Sequence, residues 1–254
     1  MPLFSDGVTS TIVDLTQQDS SLLEVVASEN IDLSQKLQLA QTEVQIELEA
    51  CLERTKTNYW FGSALAELNI RHVVVTPSLK QWHTYRSLAV VYRDAYFTQL
   101  NARYEGKSRC FEELARSAFT RLMDVGIGLV SDPIPQACAP LLSFVPGGQP
   151  GGQFYTAVSY LNAAGEEGLP SVACDVVLAD NIDLVVVAQE LPTNASGWNF
   201  YAGATPEALT RQNGAIIAAS QPYAWLTRLT MGQAPGNGQL PNRLRPLPRI
   251  WQRG

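Results

Sequence analysis

The chain has 254 residues, 46% hydrophobic and 17% charged, with a formal net charge of −6. That length supports one large or two modest domains with a core that needs no covalent staples, and the composition excludes a disordered chain. No run approaches the roughly eighteen consecutive apolar residues of a membrane span, and residues 1–10 lack the cationic stretch and apolar core of a secretion signal, so a cytoplasm is the expected compartment.

In chain order, the first half has the periodicity of helices. A short helix is expected around Ser20 to Ala27, carrying Leu22, Leu23, Val25 and Val26. From Ile31 to about Arg54, apolar residues recur at Leu33, Leu37, Ala40, Val44, Leu48, Cys51 and Leu52, the three-and-four spacing of one helix face, with Asp32 and Gln35 as its capping box. An irregular stretch with Trp60 and Phe61 follows. Thr76 and Pro77 then give the clearest start signal, an N-cap before proline at the first helical position. Beyond them Trp82, Tyr85, Ala89, Tyr92 and Tyr96 continue at helical spacing, and Phe111, Leu114, Ala118, Leu122 and Val125 resume it. Gly106 between the two runs fits either one kinked helix or two abutting ones, and Gly126 and Gly128 are expected to stop it.

From Ser131 prolines and glycines accumulate, and the domain boundary is expected within residues 140–152. Strand signals follow. Phe154, Thr156, Val158 and Tyr160 alternate with Tyr155, Ala157 and Ser159; Val172–Leu178 and Leu184–Ala188 are β-branched runs; Trp198, Phe200 and Ala202 alternate with Asn199 and Tyr201. Turn residues at Ala164-Gly165-Glu166, Asp180-Asn181 and Asn213-Gly214 separate them, the rhythm of a small antiparallel sandwich. The expected fold class is α+β: an α-helical bundle over residues 1–143, a β-sandwich-like domain over 144–232, and an extended Arg/Pro-rich tail over 233–254.

The tail is set apart by charge. Residues 1–140 hold 12 basic and 17 acidic side chains, 141–227 hold 1 and 7, and 228–254 hold 5 and 0. Its arginines, Arg228, Arg243, Arg245, Arg249 and Arg253, are interleaved with prolines and with Leu244, Leu247, Ile250 and Trp251. Such a segment builds no core and lies extended along another surface, or it is a solvated end. Arginine and tryptophan anchor interfaces well, so Arg243, Arg245, Leu247, Arg249, Ile250, Trp251 and Arg253 are the candidate partner-binding residues.

The catalytic inventory is thin. The two histidines, His72 and His83, stand in no metal-binding or nucleophile motif. Gly126-Ile127-Gly128 follows a helix rather than a strand, and the pairs Gly147-Gly148 and Gly151-Gly152 have no following lysine, so none is a nucleotide cradle; the pairs are expected to be linker. Cys51, Cys110, Cys138 and Cys174 are widely spaced and are expected to be small buried hydrophobes, not disulfide partners or zinc ligands. Asn194-Ala195-Ser196 is expected to be a loop. No catalytic residue, cofactor or metal is expected, and the chain is expected not to be an enzyme.

Several stretches resemble the head-to-tail adaptor proteins of tailed bacteriophages. They are Ile31-Asp32-Leu33-Ser34-Gln35-Lys36-Leu37, Leu79-Lys80-Gln81-Trp82-His83-Thr84-Tyr85, Tyr92-Arg93-Asp94-Ala95-Tyr96, Leu100-Asn101-Ala102-Arg103-Tyr104-Glu105-Gly106-Lys107, and Gly126-Ile127-Gly128-Leu129-Val130 with Asp132-Pro133. The resemblance spans about residues 20–137. In the second domain Tyr155-Thr156-Ala157-Val158-Ser159, Asn162 to Gly168 and Gly197-Trp198-Asn199-Phe200-Tyr201-Ala202-Gly203 resemble pieces of a fibronectin type III or immunoglobulin-like sandwich, in a different order.

The adaptor resemblance implies a homo-oligomeric ring, expected to be dodecameric, docked beneath the portal protein in the neck of the virion after assembly in the host cytoplasm. Its lower face would meet a downstream tail protein, a nozzle, stopper or tail completion protein. DNA would pass through its channel without sequence-specific binding, no membrane would be involved, and the C-terminal extension would reach the portal. An alternative is a tail-associated binding module whose β domain, through Trp198 and Tyr201, grips a tail fibre or a glycan. A cell-wall hydrolase would need a poised carboxylate pair, and Glu166-Glu167 is expected to lie in a turn without a partner.

Overall fold

The computed structural model describes residues 1–57, 68–99, 102–148, 150–226 and 229–246. The chain is α+β, with helices in its first half and antiparallel strands in its second. It divides into two compact units. One comprises Gly7–Val130 with Pro241–Gly254, and the other comprises Ser131–Leu240 with Met1–Asp6.

The first unit contains α1 (Ile12–Gln18), α2 (Leu22–Glu29), α3 (Leu33–Thr57), α4 (Pro77–Gln99) and α5 (Glu105–Val125). α1 has a complete capping box, in which the Thr11 hydroxyl accepts from the Asp14 amide and the Asp14 carboxylate accepts from the Thr11 amide. α3 starts after Asp32, whose carboxylate accepts from the amides of Ser34 and Gln35 at 2.9 and 3.2 Å. α4 starts where the Thr76-Pro77 signal put it, with the Thr76 hydroxyl accepting from the Leu79 amide at 3.3 Å. The expected long helix is two. A 3-10 turn, Ala102–Tyr104, precedes α5, and Gly106 is only the second residue of that helix, so the break falls before the glycine. α4 packs most extensively against α5, then against α3.

The core of this unit is built where apolar periodicity predicted it. Leu33 and Leu37 of α3 meet Leu88, Ala89, Val91, Tyr92 and Ala95 of α4 and Phe111 of α5. The aromatic stripe on α4 is core at Trp82 and Tyr92, while Tyr85 and Tyr96 are half-buried. Tyr92 stacks on Phe111, and Trp82 lies against Phe119 with ring centres 4.8 Å apart. The expected irregular stretch holding Trp60 and Phe61 lies outside the described residues.

The second unit is a sandwich. A three-stranded antiparallel sheet has the order β2 (Leu141–Pro146), β5 (Ile182–Val187), β9 (Tyr223–Trp225). The facing sheet has the order β4 (Cys174–Leu178), β3 (Gly152–Asn162), β6 (Ala195–Gly203), β7 (Thr210–Arg211), with β8 (Ile217–Ala218) also paired to β6. Register is fixed by which face is apolar. Opposing pairs such as Tyr160 with Trp198 and Val158 with Phe200 send both side chains inward, where they meet Leu184 and Val186 from β5 and Trp225 from β9. Asn181, in the left-handed region at φ 62°, turns β4 into β5 as the Asp180-Asn181 signal implied.

Four expectations are corrected by this arrangement. The compact units part at Ser131 and not within 140–152, because residues after Val130 are stitched into the sandwich: Ile134 and Ala137 fill its core, and the Ile134 and Ala137 amides donate to the Gln239 side chain and the Leu169 carbonyl. The glycine pairs are not an interdomain linker: Gly147, Gly148 and Gly151 lie between β2 and β3 and Gly152 begins β3, and the Gly148 and Gly151 amides donate to the Asp183 and Asp180 carboxylates. The tail, expected as one extended segment over 233–254, is divided between the units: up to Leu240 it goes with the sandwich and from Pro241 with the helical unit. Of the cysteines only Cys51 is buried; Cys110 is exposed, Cys138 and Cys174 are intermediate, and all four are free.

Candidate interaction surface

The last strand, β10 (Arg243–Arg245), pairs antiparallel with β1 (Ile127–Leu129), so that Ile127 opposes Arg245, Gly128 opposes Leu244 and Leu129 opposes Arg243. The Asn242 amide adds a bond to the Leu129 carbonyl at 2.9 Å. On its other side β1 is held by residues 72–74: the Val74 amide donates to Gly128 and the Val130 amide to His72. The base of the tail is thereby fixed to the end of α5.

Two glycines make that docking possible. Gly126 ends α5, donating its amide to Leu122, with φ 109° and ψ 150°, a region open to glycine alone. A Cβ there would stand 2.7–2.8 Å from backbone atoms of Arg245 and Pro246. At Gly128 a Cβ would stand 2.6 Å from the Thr76 methyl and 3.3 Å from Pro241. The sequence signal was present as Gly-x-Gly after a helix, but read alone it says only that the helix stops. That the space is reserved for a strand more than a hundred residues later is a tertiary fact.

Of the candidate partner residues, Arg243 is exposed, Leu244 beside it is 54% exposed, and Arg245 is half-buried. Leu247, Arg249, Ile250, Trp251 and Arg253 lie outside the described residues.

One titratable cluster ties elements of the helical unit together. Lys107 donates to Asp19 at 2.7 Å, to Ser21 at 2.7 Å and to the Tyr92 hydroxyl at 3.1 Å, and its ammonium lies 4.9 Å from the Tyr92 ring centre. Burial opposes ionisation of Asp19, but the Lys107, Tyr92 and Ser21 donors outweigh it and hold the carboxyl down at about 2. This cluster ties the α1–α2 connection to α4 and α5. Glu166 and Glu167 are not left without partners in their turn. Glu167 accepts from the hydroxyls of Ser159 and Tyr201, and Glu166 from Asn162 at 2.8 Å and Gln239 at 2.9 Å. Burial and the adjacent Glu167 carboxylate push the Tyr201 phenol up, so it stays a proton donor. Neighbours in sequence, the two carboxylates serve separate staples. Trp198 and Tyr201 are both buried, so neither forms a surface platform for a glycan or fibre. Among the described residues no group of three or more His, Cys, Asp or Glu side chains is placed to hold a metal ion. No helix of the described residues is long and apolar enough to cross a membrane. Asn194-Ala195-Ser196 is not the expected loop, since Ala195 and Ser196 open β6; Asn194 just before it donates to Asp132 at 2.5 Å and to the Pro133 carbonyl at 3.0 Å.

His83 gives a measurable consequence. Its ring is fully buried in α4, and burial depresses its pKa from 6.5 to about 4, the Leu37 carbonyl and the Asp14 charge offsetting part of the effect. The folded chain thus binds this proton less readily than the unfolded chain. Stability from the neutral ring is complete above pH 6.5 and declines as pH falls toward 4, by about 3 kcal/mol in total. Urea unfolding at pH 7 and pH 4.5 should show most of this loss, about 2 kcal/mol, in the wild type and not in His83→Leu; an equal pH dependence in both would remove His83 as the cause.

Comparison of the chain with protein-family models, with curated proteins and with solved structures returned no match.

Proposed function

We propose that the chain is a structural virion protein, a head-to-tail adaptor. Copies of it form a ring, twelvefold by the resemblance, beneath the portal protein in the neck of a tailed phage. The ring joins capsid to a downstream tail protein and lets DNA pass. The observation that carries this reading is the fixed base of the tail: β10 is bonded to β1 at the end of α5, so the root of the Arg- and Pro-rich segment is held at a defined point. A segment anchored at one end, with Arg249, Ile250, Trp251 and Arg253 beyond it, suits the capture of a partner because little freedom is lost at its root. Self-association is supported by Leu39 and Ile46, 44% and 61% exposed and seven residues apart on α3, hence on one helix face.

The test uses the full chain with Arg249→Glu, Trp251→Ala and Arg253→Glu combined. Attachment to purified portal-bearing heads should fall by more than about tenfold, since truncating interface arginine and tryptophan side chains commonly costs more than 1 kcal/mol each. The mass of the free ring should not change. Normal attachment of this variant would sink the tail assignment, and a monomer under all conditions, portal included, would sink the ring.

A further inference from the structure

In the helical unit α3 and α5 flank α4 and leave a groove of about 340 Å³ above it. Its floor is apolar, formed by Val44, Ala115 and the Trp82–Phe119 ring pair. Its charges are not equally available. Arg86 and Arg93 both bond Glu43, at 2.6 and 3.2 Å, so these three groups are mutually engaged. Glu47 on one wall and Glu112 on the other have no ion-pair partner among the described residues, and the rim sets against them one further cation, Arg116. An aromatic floor between two open carboxylates fits a peptide that carries a large apolar side chain between cations.

The sequence holds such a peptide at the right distance. Pro246 lies against Gly126 at the end of α5, and eight residues follow it: Leu247, Pro248, Arg249, Ile250, Trp251, Gln252, Arg253 and Gly254. Along α5, at 1.5 Å per residue, Phe119 is roughly 10 Å back from Gly126 and Glu112 roughly 21 Å. An extended chain at about 3.3 Å per residue reaches roughly 16 Å at Trp251 and roughly 23 Å at Arg253.

We propose that this groove is the resting dock of the chain's own residues 247–254. Trp251 covers the Trp82–Phe119 floor, and Arg249 and Arg253 pair with Glu47 and Glu112. Docked in this way the arm's anchoring side chains are withheld from other surfaces until a partner with better complementarity displaces them. The dock does not depend on what that partner is, so it can fail or hold independently of the adaptor reading.

The experiment measures tryptic cleavage of the Arg249–Ile250 bond in the intact chain, by mass spectrometry. Each rate is divided by that of a free peptide of residues 243–254 bearing the same tail sequence. Trp251→Ala, which alters only the tail, and Glu47→Lys with Glu112→Lys, which alters only the groove, should each speed cleavage by about tenfold, the equivalent of losing one anchor. Circular dichroism checks that the groove variant is folded, and Trp251→Ala keeps the comparison valid if it is not. A wild-type chain cleaved as fast as the free peptide, or as Trp251→Ala, overturns the proposal. So does protection that vanishes on dilution, which would move the arm to a second copy.

Discussion

Gly126→Ala is expected to destabilise the helical unit by about 2–4 kcal/mol and to release its terminal strand. The cost has two sources acting at one atom. At φ 109° and ψ 150° the backbone of residue 126 is in a region that a side chain makes unfavourable by roughly 1–3 kcal/mol. The added methyl would also stand 2.7–2.8 Å from the backbone of Arg245 and Pro246, which has no rotamer to turn away. The strand can escape only by leaving β1, and with it go the Arg245, Leu244 and Arg243 pairings. Urea titration and tryptic cleavage at the Arg243–Leu244 bond read the two consequences separately. A midpoint and a cleavage rate both equal to wild type would show that the backbone relaxes without cost and that the strand is not held by this contact.

Trp198→Ala should cost the β unit about 3–5 kcal/mol, the range for emptying a large aromatic site in a packed interior. The side chain is fully buried on β6, opposite Tyr160 on β3, in the same cluster as Phe200, Leu184 and Trp225. Its neighbours are themselves locked by ring contacts, Phe200 and Phe154 packing edge-on against Trp225 at 5.8 and 5.2 Å, so the site has little freedom to collapse. A loss of that size is a large share of the roughly 5–15 kcal/mol that holds a domain folded. Trp198→Phe should cost much less, about 1–2 kcal/mol, since a ring still fills most of the space. It also removes an indole N–H that has no acceptor among the described residues. Near-UV circular dichroism across a urea series follows this unit, and a Trp198→Ala midpoint within experimental error of wild type would contradict its place as the keystone of the sandwich.

What could be read from residues alone was what depends on local periodicity. The helix start at Thr76-Pro77, the inward face of α3 and the alternation in β3 and β6 are set by neighbours within one or two turns, so the pattern carries them. β2 escaped notice because Leu141–Pro146 sits between Pro140 and a run of glycines, and composition there resembles a linker. It is a strand because β5 offers six successive partners, from Val187 to Ile182. Pro133 and Pro135 misled for the same reason: an extended segment with few strand signals is still core when Ile134 has a hole to fill. Glu167 looked idle because Ser159 and Tyr201, which donate to it, lie 8 and 34 positions away. For the tail, charge and the spacing of Leu244 to Trp251 pointed to an anchored arm, but its landing strand is over a hundred residues upstream, and no local rule names it.

The assignment of both chain ends to units other than their sequence neighbours has a practical cost for anyone cutting the protein apart. Residues 1–6 belong with the sandwich, where Leu3 and Phe4 are buried and the Asp6 carboxylate accepts the Gln136 amide at 2.9 Å. Residues beyond 240 belong with the helices, so the polypeptide passes from one unit to the other at 6/7, 130/131 and 240/241. A single scissor cut therefore severs neither body cleanly. Recombinant halves split at residue 130 would each carry a foreign end and lack a native one, and a faithful dissection requires grafting the short termini back onto the half to which they belong.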